Sequence, residues 1–148
     1  MKKNNIKIMA EKIFDQNFSG YWREINISGL SKKPGVYGVY RCLYNEKERT
    51  VTLKSLIYIG KADNLNQRIS NHEKWKEWRQ TLLKEEQICF CYTEVYNGDN
   101  ERVEAALINN NKPPLNVEYM ESFPFDKTTV NCSGDHKFIK SSNVVNRH

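Results

Sequence analysis

The sequence predicts an α+β fold, a small three-stranded antiparallel sheet flanked by helices. Two runs rich in Val, Tyr and Ile, Val36 to Leu43 and Val51 to Ile59, are separated by the polar segment Asn45 to Arg49, the pattern of a hairpin. A third run, Ile88 to Val95, alternates in the manner of a strand. Around these runs, apolar residues recur at helical spacing.

Each element has its own signal. Ile6, Met9, Ala10, Ile13 and Phe14 predict an amphipathic helix over 5–16. Gly20 and Gly29 bracket a short stretch holding Trp22, Ile25 and Ile27. Pro34-Gly35 is a turn before the first strand, and Gly60 ends the second. Asp63 or Asn64 can cap the next helix, whose apolar stripe is Leu65 and Ile69. Trp75, Trp78 and Leu82 then recur at i, i+3 and i+7. Asn97-Gly98 is a turn before a helix from Asn100 to Asn110, with Val103, Ala106 and Leu107 inward. Pro113-Pro114 stops that helix. Phe123, Pro124 and Phe125 fold back on the core, and the chain from Lys140 reads as a frayed tail. The expected organisation is a helical extension over 1–30, a domain over 31–139 with its motif core at 34–116, and a flexible tail over 140–148.

At 148 residues the chain suits one domain, long enough to bury a core. No apolar run approaches a membrane span, and the start lacks a signal-peptide segment, so a cytoplasmic address without membrane association is expected. Cys42, Cys89, Cys91 and Cys132 do not repeat at a disulfide-framework spacing and are expected to be reduced. The net charge of +5 favours a polyanionic partner only weakly. From Lys61 to Lys84, six basic residues stand against three acidic ones.

The chemistry-bearing residues form an ordered series. Gly35-Val36-Tyr37 is followed by Tyr58-Ile59-Gly60, then Lys61-Ala62, Arg68, His72, Glu104 and Pro113-Pro114-Leu115-Asn116. This chain resembles a GIY-YIG nuclease domain, and the likeness runs from about Pro34 to Asn116. Lys61-Ala62 and the position of Arg68 match the form found in the nuclease domain of bacterial excision repair. His72 stands where family members carry His or Tyr. The linker between the tripeptides is long, and no separate DNA-binding domain is evident.

The resemblance implies a metal-dependent endonuclease that hydrolyses phosphodiester bonds in DNA with one metal, magnesium or manganese. It implies that Glu104 is the metal ligand and Tyr58 the general base. Magnesium keeps most of its waters, so one carboxylate can suffice; Glu101 is the rival ligand, and a solvated helix glutamate is the plain alternative. Arg68 suits a phosphate because its planar fork donates two hydrogen bonds and stays charged; a surface pair with Glu73 or Asp63 is the alternative. A free tyrosine is a poor base at neutral pH, and Lys61, Arg68 and the metal are expected to favour the Tyr58 phenolate. Tyr37 shares the proton network or orients the water, unless both tyrosines are simply core aromatics. His72 relays a proton, binds phosphate or is structural. Lys61 contacts the water or a phosphate, and Asn116 braces the site or is a turn residue.

Lys61, Arg68, Lys74, Lys76 and Arg79 are the expected nucleic-acid contacts. A non-catalytic binding module on the same fold is the alternative function, but it would be free to lose Tyr58, Arg68 or Glu104. Cutting both strands of a duplex with one site favours a homodimer or sequential nicks. Cys89-x-Cys91 with Cys42, Cys132 and His136 makes a poor zinc signature. Trp22, Trp75 and Trp78 could stack on bases, but helical spacing makes Trp75 and Trp78 core residues more often.

Overall fold

In the computed structural model, which describes residues 10–148, alternation along the central strands sorts side chains onto two faces of one sheet. The strands are β1 (Lys12–Arg23), β2 (Gly35–Asn45), β3 (Thr50–Ala62), β4 (Gln87–Glu94), β5 (Thr128–Gly134) and β6 (Ser142–Val145). Val36, Tyr40, Cys42, Cys89 and Cys91 pack into one core, while Tyr37, Val39, Ile88 and Phe90 pack into the other. The helices are α1 (Leu65–Ser70), α2 (Trp75–Gln80) and α3 (Asn100–Asn111), with a 3-10 turn at Glu24–Gly29. Leu65 and Ile69 of α1 and Trp78 of α2 belong to the second core. Helix α3 supplies Val103, Ala105, Ala106, Leu107 and Ile108 to the first.

The expected three-stranded antiparallel sheet is overturned. The sheet has six strands in the order β3-β2-β4-β1-β5-β6, and it is mixed because β1 runs parallel to β5. The expected strands are present as β2, β3 and β4, but β4 is interior and continues into β1. β1 makes this possible by changing partners along its length. Its first half, Lys12 to Phe18, pairs with β5, and its second half, Ser19 to Arg23, pairs with β4. The Gln16 side chain donates to Thr93 Oγ1 at 2.7 Å and to the Glu94 carbonyl at 2.9 Å, tying the first half to β4 as well.

The helix expected over 5–16 is also corrected. Residues 1–9 lie outside the described residues, and from Lys12 the chain is strand. Phe14 and Phe18 are buried while Ile13 is 63 % exposed, a period of two rather than 3.6. Pairing with distant β5 outweighs the local helical pattern. The segment read as a frayed tail forms β6 against β5, and Phe123 and His148 exchange backbone hydrogen bonds of 2.7 and 3.0 Å.

The cysteines differ from expectation too. Cys42 and Cys89 form a disulfide, with Cα atoms 6.3 Å apart. The cause is register: Tyr40 faces Cys89 and Cys42 faces Gln87, so the two thiols are diagonal neighbours on one face. Cys91 and Cys132 are free and buried. Two of the zinc candidates, Cys42 and Cys89, are thus taken up by each other, and among the described residues no cluster of three metal-ligating side chains exists. Nor is any helix among them long and apolar enough to cross a membrane.

Candidate active site

Helices from both faces of the sheet approach β3, its outermost strand. There, Tyr37 from β2, Tyr58 and Lys61 from β3, Arg68 from α1 and Glu104 from α3 line one open cavity of about 370 Å³. Asp63 and Glu118 complete its rim. Two larger grooves elsewhere on the surface hold none of these residues, while a groove of about 380 Å³ beside α1 shares Asp63 and Arg68 with the cavity.

Local sequence explains the placement. Tyr37 stands opposite Gly60 in the β2–β3 register, and a Cβ at Gly60 would collide with the Tyr37 ring and hydroxyl. Glycine there lets the phenol cross the neighbouring strand. At Gly35, a Cβ would strike the Thr93 carbonyl of β4. The Asn64 side chain accepts from the Gln67 N–H at 3.0 Å, so Asn64 rather than Asp63 caps α1. Asn100, at the start of α3, donates to the Ala62 carbonyl at 3.0 Å and ties the Glu104 helix to the end of β3.

Electrostatics divides the lining. Glu104 is buried, and desolvation pushes its carboxyl up to about 7; Lys61 opposes the rise, while Glu118 and Glu101 add to it. Desolvation pushes Tyr58 up to about 12, helped by the charge of Glu104 and opposed by Arg68. Tyr37 is buried, and desolvation raises it well above the ordinary phenol value. The sequence-based expectation of a favoured Tyr58 phenolate therefore has the opposite sign in the free chain. Burial outweighs Arg68, whose fork is taken up by Glu73, with Nη1 to Oε2 at 2.8 Å and Nη2 to Oε1 at 3.1 Å.

The lining suits a hydrated divalent cation. Its acidic donors are all carboxylate oxygens, from Glu104, Glu118 and Asp63. A cation beside Glu104 would offset the cost of ionising that buried carboxylate. The described residues offer no three-ligand cage, so the cation would retain waters.

Residues 36–118 match the GIY-YIG catalytic domain. The chain belongs to the GIY-YIG family. It is 32 % identical over 119 residues to UvrABC system protein C of Rickettsia africae, a match covering 78 % of this chain and 17 % of that protein. The same protein of Rickettsia felis is 33 % identical over 119 residues, with the same shares covered. That of Rickettsia canadensis is 32 % identical over 119 residues, again covering 78 % and 17 %. The chain thus spans about a sixth of the length of these curated relatives. No solved structure matches it significantly.

The other residues expected at the site take different places. His72 does not line the cavity but lies buried behind it, with ring centroids 5.8 Å from Tyr58, 6.1 Å from Tyr37 and 4.6 Å from Trp78. Its Nδ1 accepts from the Lys74 N–H at 3.0 Å, while its Nε2 has no protein partner. Desolvation, then Arg68, pushes it down to about 4, so near pH 7 it is a neutral ring backing both tyrosines. Buried Asn116 accepts from the Ile59 N–H and donates to the Ile59 carbonyl, both at 2.9 Å. It closes the edge of β3 beside Tyr58, as the Leu115 N–H does on the Ile57 carbonyl. Asn116 thus braces the strand that carries the tyrosine.

The expected nucleic-acid residues split. Lys61 and Arg68 border the cavity, and Lys74 lines an adjoining one with Tyr58, Glu104 and Glu118. Lys76 is exposed and lines neither cavity. Arg79 pairs with Glu24 at 2.6 Å and stacks over Trp75, beside a separate groove. Trp78 is fully buried and Trp75 packs against the same core. Glu101 bonds to the Tyr119 hydroxyl and is absent from the cavity lining. Sequence reasoning missed Glu118; its only signal is its place two residues beyond Asn116, where the chain passes the site.

Proposed function

We propose that this GIY-YIG chain is a divalent-cation-dependent endonuclease acting on DNA. The observation that carries this reading is the convergence of Tyr58, Lys61, Arg68 and Glu104, from three separate elements, on one cavity. Glu104 would hold the cation, magnesium or manganese. When bound, such an ion supplies charge neutralisation at phosphorus and stabilisation of the leaving oxygen.

The chain's own residues supply the rest. Arg68 and Lys61 receive the phosphate, the first through its planar fork and the second as a mobile point charge. Tyr58 takes the proton of the attacking water as its phenolate. That form is a minor species near pH 7, because burial holds the phenol neutral. Neutralising Glu104 removes the second-largest influence raising Tyr58 and so enlarges the competent fraction. Tyr37 and His72 wall the site from beneath and keep water out. Asn116 fixes the strand.

The test is incubation of the purified chain with end-labelled single-stranded, duplex and branched DNA, with magnesium and with EDTA. Magnesium-dependent internal cleavage of at least one substrate is expected. Binding without cleavage of any of them, under every divalent cation tried, would make the chain a nucleic-acid-binding module instead.

A further inference from the structure

The guanidinium of Arg68 is already occupied. Glu73 meets it with both carboxylate oxygens, at 2.8 and 3.1 Å, in the paired geometry that a phosphate would adopt. Arg68 lies in the last turn of α1, and Glu73 lies just beyond it in the link to α2. The link is anchored by its neighbour: the His72 side chain is wholly buried and receives the Lys74 N–H on Nδ1. Glu73 is thereby held facing outward with its carboxylate toward Arg68. Its side chain is 66 % exposed and that of Arg68 is 40 % exposed, so solvent reaches the pair.

We propose that Glu73 occupies, in the free chain, the place of a substrate phosphate on Arg68, and that nucleic acid binds by displacing it. This rests on the phosphate-binding role of Arg68 proposed above. Two planar oxygens on one carbon stand in for two non-bridging oxygens on phosphorus. The carboxylate stays ionised while it is there, since Arg68 holds it down to about 2. Exposure decides the magnitude. A solvated ion pair is weak, so the exchange is cheap and Glu73 tempers affinity rather than blocking the site. Such a contact also selects. A ligand reaching Arg68 must offer a bidentate anion to replace what it removes, which favours a phosphodiester over a neutral or singly accepting group.

The test measures affinity without cleavage, by fluorescence anisotropy of a short labelled DNA, duplex and single-stranded, in EDTA. Four proteins are compared: wild type, Glu73→Gln, Arg68→Met and the double variant. Glu73→Gln is expected to bind about threefold tighter. Arg68→Met is expected to bind more weakly, and the double variant to match Arg68→Met alone. Unchanged or weaker binding by Glu73→Gln, with Arg68→Met still weakened, would overturn the proposal and make Glu73 a positioning residue for the fork. An equal gain in both backgrounds would overturn it too, as a general charge effect. If Arg68→Met binds as tightly as wild type, the phosphate role of Arg68 fails, and this proposal fails with it.

Discussion

The inner wall of the cavity, formed by Tyr37, Tyr58 and Glu104, is buried or half-buried, whereas Lys61, Arg68 and Glu118 on the outer wall are exposed or partly so. On the inner wall, desolvation is the largest influence on every group, and it pushes all three toward their neutral forms. On the outer wall, Arg68 is fully charged, and its main influence is a hydrogen-bonded counter-ion. The difference separates two tasks. On the proposed function, the groups that burial drives toward their neutral forms face the reacting atoms, and the basic side chains Lys61 and Arg68 face the arriving polyanion. Chemistry should therefore fail when the inner wall is changed, and affinity when the outer wall is changed.

The largest expected effect is on the inner wall. Glu104→Gln keeps the shape and removes the charge, so single-turnover cleavage in magnesium should fall by about 10²–10³-fold or more. DNA affinity in EDTA should change little. Wild-type cleavage by Glu104→Gln would detach the cation from this wall. On the outer wall, Arg68→Lys keeps the charge and loses the fork. Cleavage under subsaturating DNA should fall by about tenfold, with weaker binding accounting for much of it. A loss confined to the saturated rate would blur the division between the walls.

A stability measurement sharpens the comparison. The Glu104 carboxyl titrates at about 7 in the folded chain against 4.5 ordinarily, so the folded state prefers it protonated. The stability this confers is present below 4.5 and is lost as pH rises through about 7. In EDTA, Glu104→Gln should therefore be more stable than wild type at about pH 8, by on the order of 1–3 kcal/mol, with the advantage gone in acid. Urea unfolding at both pH values checks it; a variant less stable at alkaline pH would mean that the carboxylate is satisfied rather than penalised. The smallest effect concerns reach. With Lys61, Arg68 and Lys74 as the phosphate contacts, the slope of log affinity against log salt should be about −2 to −3. Arg79→Ala should leave that slope unchanged, and a drop of about one would bring α2 into the interface.

How much of this was legible in the sequence depends on whether the deciding interaction is local. The two tripeptides, Arg68, Glu104 and Asn116 stand in an order that sequence alone displays, and the assembly of Tyr37, Tyr58, Arg68 and Glu104 into a cavity follows from strand, capped helix and buried helix in turn. β1 was illegible because the sequence pattern from Ile6 to Phe14, which overlaps its start, fits a helix, while its partners, Thr128 to Gly134, lie at the other end of the chain. The Cys42–Cys89 pair needs the β2–β4 register, which no spacing announces. The direction of the Tyr58 shift was illegible for a different reason. Lys61, Arg68 and the option of an Arg68–Glu73 pair are visible in the sequence, but the burial of Tyr58, the largest influence on it, is a property of the fold.

That the inner wall removes the proton is tested most directly by single-turnover cleavage of DNA by wild type and Tyr58→Phe across pH, at saturating magnesium. The wild-type rate is expected to rise about tenfold per pH unit from neutrality, without levelling off below about pH 9, because the phenol is still mostly protonated there. Tyr58→Phe is expected to be slower by about 10²-fold or more and to lose that dependence. A Tyr58→Phe protein that cuts at the wild-type rate, with the wild-type pH profile, would contradict the assignment and leave Tyr58 as a packing residue at the edge of the sheet.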